Sequence, residues 1–254
     1  MAVSHIEKLP NAPLQEVIFE LLWDTENDEQ GFPVDRDFDF AQGIFASVIC
    51  KTLPFSKKTI LPGTSAVHFI LYPMPVHQFW KGENEWPVVQ IGPGILVVND
   101  IDANYTWKRY KELILLTLDA LAQAYKKEMT FITARLKYID ASQTDNDGII
   151  DNINKSFNLS LQNHFQHGNQ PVGVSINQVF PIGDIGNLEV LISNGWSQLN
   201  KPALIWQSNI FIEKKMKTNE LTTWLDQAHG IVSGHFKKII KESLYAKFLE
   251  AKQD

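Results

Sequence analysis

The order of elements in the sequence predicts an α+β fold in which two halves of antiparallel strands each end in a long amphipathic helix. Three observations carry this. Short apolar runs punctuated by Pro, Gly and polar turns fill 67–98 and again 171–214, a pattern that suits a meander rather than βαβ units. After the first set, Trp107, Tyr110, Leu113, Ile114, Thr117, Leu118, Leu121 and Tyr125 recur at helical spacing. After the second, Leu221, Trp224, Leu225, Ala228, Val232, Phe236, Ile239 and Ile240 do the same. Helices packed on one face of curved sheets satisfy this order, and SecB-like and helix-grip arrangements share it. The polar segment 142–168 marks the boundary, giving halves 1–141 and 142–254 or one continuous domain.

Taken along the chain, Leu14–Trp23 reads as a strand entered through Pro13, which cannot donate to a ladder. Its run of Val17, Ile18, Phe19, Leu21, Leu22 and Trp23 is apolar on both faces, as for a strand covered on both sides or at an interface. An acidic loop follows, then a short helix from Ala41 through Ile44, Phe45, Val48 and Ile49, with Asp39 as its cap. Strands are expected at 67–72, 76–80, 88–90 and 95–98, the last two joined by the turn Gly92, Pro93, Gly94. The helix after Trp107 takes Asp102 or Asn104 as cap, and 129–139 returns as a strand. In the second half, 171–180, 188–193 and 203–214 read as strands.

Charge sets limits on partners. The 254 residues carry 23 bases and 29 acids, and the deficit of 6 lies between Asp24 and Asp39, where seven acids face only Arg36. A chain without a basic excess lacks the footprint of a protein that holds a nucleic-acid backbone by neutralising phosphates. The 44% apolar content and 7 Trp are enough for a sizeable core. A single cysteine, Cys50, forbids an intrachain disulfide and a thiolate metal cluster. No apolar run approaches the ~18 residues of a membrane span, and no leader pattern opens the chain, so a cytoplasmic, membrane-free protein is expected.

Motifs that carry chemistry are weak. Gly92, Pro93 and Gly94 run into a strand rather than a helix, so they make a turn and not a phosphate loop. Asp145, Asp147 and Gly148 copy part of a calcium loop, but Gln143 and Asn154 stand where its first and last ligands belong. His164 and His167 lack a nearby carboxylate, His229 and His235 are six apart on one helix, and no metal or cofactor is expected. No Gly-x-Ser-x-Gly elbow exists, and Cys50 reads as a small core residue. The many aromatics read first as core and second as a binding groove or interface, which favours a homo-oligomer or a partner surface.

Five segments, 13–23 (PLQEVIFELLW), 86–100 (WPVVQIGPGILVVND), 105–114 (YTWKRYKELI), 136–140 (LKYID) and 224–236 (WLDQAHGIVSGHF), follow in order the pattern of a sporadically distributed family of uncharacterised prokaryotic proteins, which the chain resembles over its length. Lys137 stands where that family more often has Arg, so no role that needs a guanidinium fork carries over. The resemblance implies no reaction; the patchy distribution implies mobile elements, and hence phage defence or a toxin and antitoxin module. The candidates for ligand or partner binding are Glu16, Gln90, Asn99, Lys137, Tyr138 and Asp140, with Asp35, Asp37 and Asp39 as a docking loop for a basic partner. The expected function is a non-enzymatic binding or adaptor protein, self-associating or bound to a neighbouring gene product. The alternatives are an enzyme whose pocket gathers Glu16, Gln90, Lys137, Tyr138 and Asp140, and a SecB-like holdase.

Overall fold

The computed structural model describes residues 9–58, 73–144, 147–162, 164, 171–197 and 200–250. In chain order the elements are β1 (Leu14–Trp23), β2 (Glu26–Asn27), β3 (Pro33–Val34), α1 (Phe38–Ile49), β4 (Phe55–Lys58), β5 (His77–Gly82), β6 (Glu85–Gly92), β7 (Ile95–Asp100), α2 (Trp107–Ala124), β8 (Phe131–Gln143), α3 (Ile149–Ser156), β9 (Ser175–Pro181), β10 (Asn187–Trp196), β11 (Pro202–Met216), α4 (Thr218–Ile239) and α5 (Glu242–Leu249). The class is α+β: β4 to β7 precede the 18-residue α2, and β9 to β11 precede the 22-residue α4. The strand expected at 67–72 lies outside the described residues.

The chain forms two compact units. The major unit takes Glu16–Leu136 and Phe211–Asp226; the minor unit takes Met1–Gln15, Lys137–Ile210 and Gln227–Asp254. Their division falls inside β1, β8, β11 and α4, so it is interleaved along the chain rather than a single cut between 141 and 142.

In the major unit the strand order β4-β5-β6-β7-β1 is antiparallel at every step. Strand side chains alternate between faces, and directly paired residues share one. Val17, Phe19, Leu21 and Trp23 are buried, and Phe19 pairs with Val98 and Leu21 with Leu96 on the same face. Helices α1 and α2 cover it: Phe45 meets Phe79 at 5.7 Å, and Tyr110 donates its hydroxyl to the Val98 carbonyl at 2.7 Å. Helix α2 buries Leu113, Ile114, Thr117, Leu118 and Leu121, five of the positions whose spacing predicts it. Each fully buried large apolar side chain here contributes roughly 1.5–3 kcal/mol.

The turn between β6 and β7 needs its glycines. A Cβ on Gly92 would lie 1.9 Å from the Met74 carbonyl oxygen, and Gly94 has φ +73°. Neither backbone conformation nor space leaves room for another residue, which confirms a structural turn.

Three local expectations are corrected. Helix α1 starts at Phe38, so Asp39 lies inside its first turn and Asp37 holds the N-cap position without a side-chain cap bond. Helix α2 is capped by Thr106, whose hydroxyl accepts from Arg109 N at 3.4 Å, rather than by Asp102 or Asn104. The segment 142–168 contains α3, whose Ile153 is fully buried, directly after Gly148.

In the minor unit β9 and β10 form an antiparallel hairpin. The core centres on Trp206, with Phe157 at 5.4 Å edge-on and Phe236 and Phe248 stacked at 6.4 Å. Phe157 and Ile240 form a β-bridge, and Asn158 N donates to the Ile239 carbonyl at 2.7 Å, which ties the end of α3 to the end of α4. Aromatics that a groove would have displayed are spent here on the core.

Candidate functional site

On the face of the major sheet opposite α1 and α2, four polar side chains form a continuous hydrogen-bonded row across β5, β6, β7 and β1. Gln78 Nε2 donates to Gln90 Oε1 at 3.1 Å, Gln90 Nε2 to Asn99 Oδ1 at 3.3 Å, and Asn99 Nδ2 to Glu16 Oε1 at 2.7 Å. Register explains the row: Gln78 pairs with Gln90, Asn99 pairs with Val88 and Ile18, and each bond spans neighbouring strands on one face. All four residues are half-buried. Every bond points toward the Glu16 carboxylate, so each amide polarises the next. An amide NH2 carries two protons and the row uses one from each, which leaves a line of further donors beside a carboxylate oxygen.

Aromatic and cationic groups border the row. Trp80 pairs with Val88 and Phe55 on the same face, and its ring meets Trp86 edge-on at 5.0 Å. Lys57, paired with Gln78, places Nζ 5.4 Å from the Phe55 ring centre and 5.9 Å from that of Trp80. The Trp80 Nε1 proton is buried with no hydrogen-bond partner among the described residues.

Of the candidates expected from sequence, Glu16, Gln90 and Asn99 are therefore brought together in the major unit. Gln78 was not among them: it follows His77, so it lacks the signal of a lone polar residue between apolar neighbours that marks Gln90 between Val89 and Ile91. Lys137, Tyr138 and Asp140 belong to the minor unit. Along β8, Tyr138 and Asp140 are buried while Lys137 and Ile139 are half-exposed, so strand alternation turns Lys137 to the face opposite Tyr138 and Asp140. A single pocket holding all three of these side chains is not formed.

Tyr138 instead meets α4. Its hydroxyl and His229 Nδ1 are 2.9 Å apart, and His229 Nε2 lies 3.4 Å from the Ser233 hydroxyl one helical turn on. Asp140 is 5% exposed, and burial alone raises its carboxyl pKa to about 7.

The acidic stretch folds into the short β2–β3 hairpin and the start of α1, with Asp24, Glu26, Glu29, Asp37 and Asp39 exposed and Asp35 turned inward. Asp35 Oδ2 accepts from Tyr125 Oη at 2.7 Å, Trp23 Nε1 at 3.0 Å and Gly94 N at 3.2 Å. Asp37 pairs with Lys127 at 3.3 Å, Glu26 with Arg36 at 3.2 Å, and Asp24 with Lys215 at 2.7 Å. Asp28 Oδ1 accepts from the backbone N–H of both Gln30 and Phe32, closing the turn between β2 and β3. Of the three docking candidates, Asp35 is a structural anchor, Asp37 is ion-paired, and Asp39 is exposed with no ion pair among the described residues.

Asp147 pairs with Lys155 of α3, while Asp145 and His167 lie outside the described residues. No group of His, Cys, Asp and Glu able to hold a metal ion exists among the described residues, and no helix among them is long and apolar enough to cross a membrane. No family profile and no curated protein sequence matches the chain.

Proposed function

We propose that this chain is a non-enzymatic binding or adaptor protein of the cytoplasm that associates with itself or with a neighbouring gene product. Its recognition surface is the amide and carboxylate row of the major unit. The observation that carries this reading is the polarised row Gln78, Gln90, Asn99, Glu16 beside Trp80, Trp86 and Lys57. Aligned donors next to aromatic rings suit a partner that presents carbonyl or hydroxyl acceptors, because each acceptor meets a donor already oriented. Catalysis would ask for a titratable group held over a reacting atom, whereas the one carboxylate of the row is engaged by Asn99. A role in phage defence or in a toxin and antitoxin module is compatible with this reading and rests on the family resemblance.

Quantitative affinity capture from the native host, with the wild type and Gln90→Leu as parallel baits, tests it. The expected result is a partner retained by the wild type and lost with Gln90→Leu, which stays folded by circular dichroism at the temperature of the capture. Equal capture by both baits would contradict the assignment of the surface.

A further inference from the structure

We propose that β9 is the contact through which two copies of this chain associate, pairing edge to edge and antiparallel about a two-fold axis at Gln178. The proposal rests on the self-association named above and assigns its surface. Among the described residues β9 hydrogen-bonds to β10 only, so its other edge presents a row of backbone N–H and C=O groups without a strand partner among them. At the opposite end of the described strand order, β4 (Phe55–Lys58) carries the charged Lys57 and Lys58. Strand β9 has 7 residues, Ser175 to Pro181, none of them charged. Its surface is apolar as well. Val179 is 53% exposed and Phe180 40%, with Val172 before the strand at 93% and Trp196 at the end of β10 at 65%.

A second copy is the occupant that this edge fits. An uncharged edge meets no like-charge repulsion when it faces itself, and it offers nothing to attract a strongly charged segment. Antiparallel pairing centred on Gln178 sets Ile176 of one copy against Phe180 of the other, twice, and Asn177 against Val179. Apolar pairs then flank a central amide pair, and both faces of the joined sheets keep their own character. An isologous contact of this kind closes after two copies and does not propagate.

Gln178 is exposed, so a charge placed there leaves the fold intact and puts two like charges directly across the axis. Sedimentation of the wild type, of Gln178→Lys, of Gln178→Glu and of an equimolar mixture of the two variants tests the proposal. The wild type is expected to be dimeric, each variant alone to dissociate with a Kd raised at least about tenfold, and the mixture to recover the dimer. A wild type that stays monomeric up to about 100 μM overturns both the self-association and this interface. A dimer unchanged in both variants overturns the interface alone, as does failure of the mixture to recover it.

Discussion

The Tyr125 hydroxyl donates a 2.7 Å hydrogen bond to Asp35 across a sequence separation of 90, and the same carboxylate oxygen receives the Trp23 indole at 3.0 Å. Burial first, and then the adjacent Asp35 charge, hold the Tyr125 hydroxyl in its protonated form by raising its pKa far above the ordinary phenol value. One acid of the run from Asp24 to Asp39 thereby ties the end of α2 to β1 and, through Gly94 N at 3.2 Å, to the β6–β7 turn. Asp35→Ala is expected to cost about 2–3 kcal/mol, because it strands three donors at once. Asp39→Asn, at an exposed position in the first turn of α1, is expected to change stability by no more than about 0.5 kcal/mol. Urea denaturation of the two variants checks the contrast.

The row itself predicts coupling. Asn99→Ala removes the donor to Glu16 and the acceptor for Gln90 together, and is expected to cost about 1–2 kcal/mol. In a double-mutant cycle, Glu16→Ala and Asn99→Ala should be non-additive by at least about 0.5 kcal/mol. Additive losses would mean that the two side chains are not bonded in solution.

Stability should depend on pH through Asp140. Its folded pKa of about 7 lies above the 3.8 of the free side chain, so the folded state binds the extra proton between those values. Stability is then greatest at the acid end of that window and falls as pH rises through 7, by at most about 4 kcal/mol. His77 and His235 act in the opposite sense. Burial, reinforced by Lys58 and Lys238 respectively, lowers their pKa, so their contribution is lost as pH falls through and below 6.5. Asp140→Asn isolates the carboxyl: its Tm should lack the decline expected of the wild type between about pH 4 and 7, and equal slopes in both proteins would contradict the assignment.

Alternation along β8 predicts unequal neighbours. Tyr138→Phe removes the hydroxyl that meets His229 and is expected to cost about 1 kcal/mol. Lys137→Ala, on the other face of the strand, is expected to cost less than about 0.5 kcal/mol. Thermal unfolding separates the two.

These contrasts also mark what is legible in the sequence. Strand β1 matches its expected bounds because Pro13 and the run to Trp23 leave no competing reading, and α2 follows from the spacing of Tyr110, Ile114, Leu118 and Leu121. Caps were misplaced by two residues or more because Asp37 and Asp39, like Asp102, Asn104 and Thr106, offer several capping side chains within one turn. Strand β4 was hidden by Lys57 and Lys58, and α3 by the Asn residues around its one buried isoleucine, Ile153. Asp35 was grouped with its acidic neighbours because charge alone cannot distinguish the one carboxylate that meets Tyr125. The polar row was three-quarters visible as lone polar positions in apolar strands, but its bonds depend on strand register, which joins Glu16 to Asn99 across a separation of 83. The interleaving of the two units has the same origin, since strand pairing over long separations leaves no periodic signal.

The most direct measurement of the recognition surface is the set of side-chain NH2 resonances of Gln78, Gln90 and Asn99, followed by NMR as the captured partner is added. The account predicts that these three pairs of signals shift together and saturate with binding, and that Asn209, whose amide donates to Glu189 in the minor unit, does not. A partner that binds at saturation while the three amides keep their free positions would contradict it.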